Sequence, residues 1–518
     1  MKSRILIALF VCSLPGTIHA QHDGARDSVR LIADGKFQKV DKTLEDKKPF
    51  AGEAESAFVQ MLSSLAQDEL GDALAQAREA VELGLPIERL IVGPREQLSK
   101  LHTTAEFQSW MASKQVSPLI HGPMVGNVTD QSAAIWVRTS RPTGVVVRAS
   151  ADDAEAQSSD GQTTSESDFT TVVSLRDLKS ETVYRYDVVV DDKPIASGQF
   201  RTFPAEKTSG VFSVGFGGGA GYVPEWESMW DTIVKSKPDA FLMLGDNVYI
   251  DQPEKTLTQH YCYYRRQSRP EWKRMTSQIP IFSIWDDHDF GTNDCVPGPE
   301  IEKPKWKRNV WNIFKQNWAN PGYGGGESQP GCWYDFRIGD VHFILLDGRY
   351  YRDLKGGTML GPVQKQWLLE TLADSDATFK IVASPVPFTA GIKKGSRDPW
   401  DGFPEEREEI FRHIESERID GVVLIAADRH RTDLRKTSRE DGYDLYEFES
   451  SRLTNHHTHP VVKTPGLIWG HSETCSFALM KFDTTREDPQ IQLQCIDLEG
   501  QTLHTHVIKR SELEHTSR

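Results

Sequence analysis

The spacing of apolar residues changes twice along the chain, and these changes predict three structured regions. From residue 21 to about 114, apolar positions recur every three or four residues, which is typical of amphipathic helices. From about 115 to 205 they alternate with polar positions in short runs, which predicts β-strands. From about 206 to 518, continuous apolar runs alternate with helical patterns. Such runs favour strands buried on both sheet faces, and therefore an α/β domain.

The first region resembles one tetratricopeptide-type helix pair. Its stretch "SAFVQMLSSLAQDELGDALAQAREAVELGLPIERL" has a break at Gly71 and a stop at Pro86. Such repeats normally need at least three copies to bury a core, so a single unit predicts a small helical domain packed on its neighbour. Two roles stay open for residues 21–114, namely structural support and the binding of a protein partner.

The second region predicts a β-sandwich. Its runs "SAAIWVRTS", "GVVVRAS" and "TVYRYDVVV" are short alternating strands separated by turn residues. The phrase "YRYDVVVDDKPIASGQFRTFP" is similar to the end of a fibronectin or immunoglobulin-like module. We expect residues 115–205 to act as a spacer or support for the domain that follows.

The first twenty residues predict a secretory signal peptide. Lys2 and Arg4 precede an apolar run from Ile5 to Leu14, and a short polar stretch ends at Ala20. This run is too short to span a membrane, and no later stretch is long enough. We therefore expect a secreted or periplasmic protein without a transmembrane segment.

Composition narrows the classes of partner. The formal net charge of −15 argues against a nucleic-acid-binding surface, although a bound metal can still create a local site for a small anion. Five cysteines lie outside the leader and none forms a CxxC pair, so a thiolate zinc site is not expected. One or two disulfides stay open, and the odd count leaves at least one free thiol.

Acidic residues stand at the ends of several predicted strands in the third region. They are Asp246 in "LMLGD", Asp286 and Asp287 in "SIWDD", Asp347 in "FILLD" and Asp428 in "LIAAD". Sites in layered α/β proteins lie just beyond strand ends, so these like charges are expected to converge. Convergence is unfavourable unless cations or hydrogen-bond donors compensate it. The pattern predicts a site for hard or borderline metal ions.

The order of these motifs resembles that of the alkaline phosphatase D-like metallophosphatases. The resemblance covers residues from about 115 to the C-terminus and rests on "GDNVYID", "WDDHDFGTND", "LLDGRYYRD", "MLGPVQKQWLLETL", "LIAADRH" and "SSRLTN". It implies a multidomain protein whose residues 206–518 form a four-layer αββα metallophosphatase domain. It also implies hydrolysis of phosphate mono- or diesters by a metal-bound hydroxide.

The resemblance assigns roles to individual residues. The implied metal ligands are Asp246, which would bridge two ions, Tyr249, Asp287, Asn293, Asp428 and His430. Arg349 would meet the substrate phosphate, and His288 is the candidate proton donor to the leaving group. Asp286 stays open as a ligand or an orienting residue, and Asp289 as a helix or turn cap.

One departure concerns the metals. The family commonly has "FGSC" after the first strand, where its cysteine helps to hold iron, whereas this chain has Gly219 at that position. The site could keep iron through Tyr249 and carboxylates, take only calcium or another divalent ion, or lose catalysis. We expect a retained site for two metal ions, calcium and possibly iron, and expect Gly219→Cys to raise the iron content if the aligned position faces the metal.

Two loops and two rival functions stay open. Lys393, Lys394 and Arg397 could attract phosphate or form a solvated turn. The histidines of "NHHTH" (456, 457 and 459) could bind metal or line a polar loop. The rival functions are a phosphodiesterase of phospholipase D type and a non-catalytic secreted binding protein with a degenerate metal site.

Overall fold

The computed structural model begins with a layer of short helices. It describes residues 23–46 and 52–515, so the expected signal peptide at 1–20 lies outside the described residues. The helices of this layer are α1 (Gly24–Ala33), α2 (Val40–Asp46), α3 (Glu53–Ala66), α4 (Leu70–Glu82), α5 (Arg89–Val92), α6 (Arg95–His102) and α7 (Ala105–Ala112).

The pair α3 and α4 forms the centre of this layer. Buried Phe58, Leu62 and Leu65 line one face of α3, while α4 buries the small residues Ala73, Ala77 and Ala80. These positions recur every three or four residues and therefore share one helix face. Small side chains on α4 let the two helices approach closely, as the apolar spacing predicts.

Buried polar contacts join the helical layer to the rest of the protein. Glu55 on α3 accepts two hydrogen bonds from Arg89 (3.1 and 2.9 Å) and one from the hydroxyl of Tyr261 (2.6 Å). Asp23 pairs with Arg265, which is also buried. Because a buried charge is stable only when it is paired, these contacts fix the layer in one place.

The second region has seven strands, and they divide between two sheets. They are β1 (Leu119–Gly126), β2 (Ala133–Thr139), β3 (Thr143–Ala151), β4 (Ala154–Thr163), β5 (Thr170–Leu175), β6 (Val183–Val190) and β7 (Lys193–Arg201). Strands β4, β3, β6 and β7 pair in that order, while β1, β2 and β5 belong to a nine-stranded sheet of the following region.

Arg138 on β2 anchors this region to its neighbour. Its guanidinium is fully buried and donates to Asp168 (3.0 Å) and Asn317 (3.0 Å), and it also contacts Gln267. Trp136 donates to the carbonyl of Gln316 (2.8 Å). The strands of residues 119–201 are therefore held against the third region by buried hydrogen bonds rather than by a free linker.

The third region carries the remaining helices and strands. The helices are α8 (Met229–Ser236), α9 (Thr256–Gln267), α10 (Pro270–Thr276), α11 (Asp287–Phe290), α12 (Lys307–Asn317), α13 (Gly361–Asp374) and α14 (Pro404–Ser416). The strands are β8 (Val211–Gly217), β9 (Ala240–Leu244), β10 (Ile281–Ile284), β11 (Tyr334–Ile338), β12 (Val341–Leu345), β13 (Phe379–Ser384), β14 (Val422–Ala426), β15 (Thr432–Thr437), β16 (Leu445–Ser450), β17 (Leu467–His471), β18 (Ser476–Asp483), β19 (Gln490–Asp497) and β20 (Thr502–Lys509).

These strands form two sheets that pack together. One has the order β20-β19-β18-β8-β9-β10-β1-β2-β5 and the other β11-β12-β13-β14-β16-β15-β17. Phe216 meets Phe448 across the interface with ring centroids 5.5 Å apart, and Phe343 meets Phe482 at 5.8 Å. Every residue of β9, β12 and β14 is buried, as continuous apolar runs predict.

Two further findings concern the described residues as a group. None of their helices is long and apolar enough to cross a membrane. Their five cysteines are all unpaired, and Cys262, Cys332, Cys475 and Cys495 are buried. The one or two disulfides that the sequence leaves open are therefore not formed among the described residues.

Candidate metal centre

The candidate centre is built from loops that follow parallel strands of both sheets. Strands β8, β9 and β10 are parallel neighbours in one sheet, and β14 and β16 are parallel in the other. The amide of Gly218 donates to the carbonyl of Ser450 (3.0 Å) and so joins the two sheets at this edge. Parallel strands place their carboxyl ends together, which brings the acidic strand ends into one region.

Five residues of these loops have a left-handed backbone. The φ angles are 54° at Asp246, 57° at Tyr249, 52° at Asp251, 74° at Asp428 and 48° at His430. Such angles are uncommon for residues other than glycine, and they cluster at functional sites where the surrounding structure holds them. Here they turn each side chain sharply back over the strand ends.

Asp246, Tyr249 and His430 meet at one point, as the sequence predicts. Nε2 of His430 lies 2.9 Å from the hydroxyl of Tyr249 and 3.6 Å from Oδ2 of Asp246. The side-chain amide of Asn455 donates to the Tyr249 hydroxyl (2.5 Å) and lies 3.3 Å from the same His430 nitrogen. All four residues are buried. A compact group of oxygen and nitrogen donors thus faces one small volume.

Several buried polar atoms of this group have no hydrogen-bond partner among the described residues. They are Oδ1 of Asp246, Oδ2 of Asp286 and Nδ1 of His430. Burial raises the pKa of the Asp246 carboxyl well above its usual range, and Asp287 and Asp286 add to the rise while His288 opposes it. Buried carboxylate oxygens without donors are costly, so the site is built for a cation.

His288 lies beside this group and is held by Asp251. Its Nδ1 forms a short hydrogen bond with Oδ1 of Asp251, and the ring packs 4.8 Å from that of Tyr249. Burial lowers the pKa of His288, but Asp251, Asp287 and Asp246 together raise it well above its usual range. Without a bound metal the imidazole is therefore protonated at neutral pH.

Asp289 supports the loop after β9. Its carboxylate accepts hydrogen bonds from the amides of Asn247 (2.9 Å) and Val248 (2.9 Å), and it completes a capping box with Asp286 at the start of α11. Its oxygens are thus used by backbone donors, which agrees with the predicted cap.

Arg349 does not face open space, contrary to its predicted contact with a substrate phosphate. The guanidinium is fully buried, pairs through Nε with Asp286, and donates through Nη1 to Asp398 (2.6 Å). Asp398 also accepts from Arg352 (2.6 Å) and lies 3.2 Å from the ammonium of Lys393. These contacts use the planar fork for carboxylates, so Arg349 holds Asp286 in place instead.

The predicted ligands after β10 divide into two groups. Asp287 is buried, and one of its oxygens lies within 4.8 Å of ligand atoms of Asp246 and His288. Asn293 is exposed, and no hydrogen bond in the described structure joins its side chain to the cluster. The next residue contacts this group instead: the amide of Asp294 donates to Asp287 (2.6 Å), and its carboxylate pairs with Lys393 (2.8 Å).

The two remaining acidic strand ends differ from each other. Asp347 accepts hydrogen bonds from Trp285 (2.9 Å) and from the amides of Cys332 (3.0 Å) and Arg349 (2.8 Å), so it supports the fold. Asp428 lies nearer the surface, 3.4 Å from Arg429. Burial raises the pKa of Asp428, but Lys393 and Arg429 lower it overall, so this carboxylate is charged and available.

Gly219 has no room for the side chain that the resemblance suggests there. Its φ is 65°, and a Cβ atom at this position would lie 2.1 Å from the carbonyl oxygen of Ser451 and 3.2 Å from the ring of His430. A cysteine at position 219 could therefore act as an iron ligand only if the backbone at Ser451 shifted.

Several site residues were not singled out from the sequence. Asn455 ends the quoted motif "SSRLTN", Asp251 ends "GDNVYID", and Asp398 lies in the loop "GIKKGSRDPWDGFP". Asn455 and Asp251 belonged to recognised motifs, which was a usable signal. The contact of Asp398 with Arg349 joins loops far apart in sequence, and no local pattern predicts it.

Comparisons with known proteins agree with this geometry. The family model described as PhoD-like phosphatase matches residues 214–474, and a domain of unknown function (DUF7800) matches residues 116–208. The chain is 24% identical over 322 residues to alkaline phosphatase D of Bacillus subtilis (strain 168). The match covers 50% of this chain and 54% of that protein, so the chain spans about half the length of this curated relative.

Two solved structures share the fold. The structure of PhoD has a TM-score of 0.62 and 16% identity, over 76% of this chain and 91% of that chain. The purple acid phosphatase PPD1 from yellow lupin (Lupinus luteus) seeds has a TM-score of 0.58 and 13% identity, over 76% and 75% of the two chains. The matched family model covers half of the sequence and includes every strand end of the centre, and the chain therefore belongs to the PhoD-like phosphatase family.

Proposed function

We propose that this protein is a metal-dependent phosphoesterase of the alkaline phosphatase D type. The single observation that carries the proposal is the meeting of Asp246, Tyr249 and His430 beside buried carboxylate oxygens that lack donors. Family membership supports the reaction class, and the geometry supports a cation among these side chains.

The donors fit a pair of metal ions. Asp246, Tyr249, His430 and Asn455 would contribute on one side, and Asp286, Asp287 and Asp428 on the other. Bound metal ions supply a coordinated water of lowered pKa and neutralise phosphoryl charge. Oxygen donors predominate, which supports calcium or another hard divalent ion, and the phenolate of Tyr249 supports iron.

His288 is placed to donate a proton to the leaving alkoxide. Asp251 holds its Nδ1, which leaves Nε2 for proton transfer, and the Asp251 carboxylate raises the pKa of the imidazole. A positioned acid typically contributes about 10²–10⁴-fold to the rate.

Lys393 is a better candidate than Arg349 for contact with the phosphate. Its side chain is 20% exposed, and its ammonium carries three donors, of which two point to Asp294 (2.8 Å) and Asp398 (3.2 Å). The third donor is free for an incoming anion. Arg349 acts as a positioning residue through Asp286.

Hydrolysis assays on the full chain test the proposal. We expect turnover of mono- or bis-p-nitrophenyl phosphate that is lost in chelator and restored by calcium, manganese or iron. Asp246→Asn should lower both turnover and metal content, whereas the exposed Asp72→Asn should change neither. Unchanged turnover in Asp246→Asn would refute the assignment. Preference for the diester would favour the phosphodiesterase alternative, and no turnover with any metal would favour a binding protein.

Finer features of the protein are also proposals. We infer a four-layer αββα catalytic domain, which the two packed sheets support, and a fibronectin-like sandwich at residues 115–205, which its seven strands support. We infer export to the periplasm or the medium from the leader pattern of residues 1–20.

A further inference from the structure

The segment "NHHTH" (residues 455–459) runs along the edge of the candidate metal centre with alternating sides. Asn455 is buried and His457 and His459 are half-buried, whereas His456 and Thr458 are exposed. The rings of His457 and His459 lie beside that of His430, with centroid distances of 5.4 and 5.9 Å, and Asn455 also contacts His430. His456 instead stacks on Trp226.

Hydrogen bonds fix this segment against His430. The amide of His457 donates to Oδ1 of Asn455 (2.9 Å), whose amide group reaches Tyr249 and His430. The hydroxyl of Thr458 lies 3.0 Å from the carbonyl of His430. The histidines are thus held beside His430 by their own neighbours in the chain.

The three imidazoles form a cluster of nitrogen donors. One ring nitrogen from each of His430, His457 and His459 lies within 4.8 Å of the others. The Nε2 atoms of His457 and His459 are 3.2 Å apart. Tetrahedral zinc with bonds of about 2.0–2.1 Å places its ligand nitrogens roughly 3.3 Å apart, so this pair already has the spacing of metal ligands.

We propose that His430, His457 and His459 form a binding site for a divalent transition-metal ion of the zinc type. Imidazole nitrogen prefers zinc, cobalt, copper or iron over calcium, which takes oxygen. The Nδ1 atom of His430 is buried and has no hydrogen-bond partner among the described residues, so it is open to a ligand. Three protein ligands leave a fourth position open to water or substrate, as in catalytic zinc sites.

The site also offsets the missing thiolate at Gly219. The ring of His430 lies 3.2 Å from the position of a Gly219 Cβ, so there is no room for a cysteine side chain there. The same ring belongs to the histidine cluster, which supplies nitrogen donors at this place. The nitrogen donors then replace a soft ligand with borderline ones, which favours divalent zinc-type ions over ferric iron.

The competing explanation is a simple hydrogen bond between His457 and His459. Both rings are half-exposed, and the observed spacing suits such a bond as well. In that case the pair would bind no metal, and their loss would change only the local surface.

Metal binding by the chelator-treated full chain distinguishes the two explanations. We would titrate it with Co²⁺ followed by visible absorption, and with Cu²⁺ followed by electron paramagnetic resonance. Wild-type protein should show the intense bands of tetrahedral Co²⁺ and a nitrogen hyperfine pattern from several imidazoles. The double variant His457→Gln/His459→Gln should bind at least about 100-fold more weakly at this site and lose these signals.

A matched control lies in the same segment. His456 stacks on Trp226 with ring centroids 5.6 Å apart and points away from the cluster, so His456→Gln should keep the wild-type spectra. Identical spectra in wild type and the double variant would overturn the proposal. Circular dichroism of each metal-free variant reports folding, so that a lost signal is not mistaken for unfolding.

The outcome is separable from that of the proposed hydrolase activity. Loss of turnover in Asp246→Asn together with unchanged Co²⁺ spectra in the histidine variant would leave the hydrolase standing and remove the histidine site. Loss of the spectra in the histidine variant, with turnover unaffected by Asp246→Asn, would support the histidine site and remove the assignment of the hydrolase centre.

Discussion

At the residue scale, Gly218 and Gly219 pack tightly against the loops that follow β14 and β16. A Cβ at Gly218 would lie 2.7 Å from the Cβ of Ala427, and a Cβ at Gly219 would lie 2.1 Å from the Ser451 carbonyl. The methyl group of Ala427 therefore fills the space that a side chain at Gly218 would need.

Gly219→Cys should destabilise the protein. An L-residue at φ 65° costs about 1–2 kcal/mol, and the contact with Ser451 adds to that cost because backbone atoms must shift. We expect a free energy of unfolding lower by more than about 2 kcal/mol in denaturant titrations, and the same loss in Gly219→Ala.

The control for this change is Gly326→Ala. Gly326 has a φ of 71° and open space around its Cβ position, so it measures the backbone cost without the collision. A Gly219→Cys protein as stable as the wild type, with more bound iron, would show that the loop can admit a thiolate.

At the element scale, α1 packs directly on the loop that follows β9. Arg30 donates to the carbonyl of Ile250 (2.9 Å) and pairs with Asp251, and Arg26 reaches the carbonyl of Tyr249 (3.4 Å). Asp251 in turn holds His288. A helix outside the matched family model thus positions the candidate acid through a chain of charged contacts.

Asp251→Asn should shift the pH dependence of turnover. The carboxylate raises the pKa of His288, so its loss lowers that pKa. A general acid works only while protonated, and its activity falls as pH rises through its pKa. The alkaline fall of kcat should therefore occur at lower pH in the variant, which a rate profile against pH would measure.

Asp34→Asn serves as the comparison. Asp34 accepts a hydrogen bond from the side chain of Gln252 (3.4 Å) on the same loop, but no hydrogen bond in the described structure joins it to His288. Its profile should match the wild type. An unchanged alkaline limb in Asp251→Asn would exclude His288 as the acid.

The elements show which features a sequence can predict. Strand ends and their acids follow from local apolar runs, and so the meeting of Asp246 and His430 was predictable. The contact of Asp294, and not Asn293, with Asp287 depends on the geometry of one short turn. The burial of Arg349 depends on Asp398 in a distant loop, and the docking of α1 depends on contacts between separate regions. Local periodicity carries no information on either.

At the scale of the whole molecule, Glu55 links the helical layer to the third region through the hydroxyl of Tyr261. Removing one member of a buried ion pair typically costs about 3–5 kcal/mol, so Glu55→Gln should lower the free energy of unfolding by that order. Burial raises the pKa of Glu55, but Arg89 lowers it overall. The pair therefore stabilises the protein above the ordinary glutamate pKa, and its contribution is lost as pH falls through the lowered value.

Denaturant titrations at several pH values would measure this effect. The difference between wild type and Glu55→Gln should be largest near neutral pH and shrink in acid. The exposed Glu53→Gln, on the same helix, should match the wild type throughout. A pH-independent difference would mean that packing around the side chain, and not its charge, stabilises the junction.

The nine-stranded sheet has a consequence for attempts to recombine this protein with its relatives. Strands β1, β2 and β5 continue a sheet of the third region, and Arg138 has hydrogen-bond partners on α9 and α12. A chimera that exchanged only residues 115–205 would leave Gln267 and Asn317, the partners of this guanidinium, buried against the surface of a different protein. A working chimera must therefore exchange both sides of this interface together, because the two regions form one structural unit.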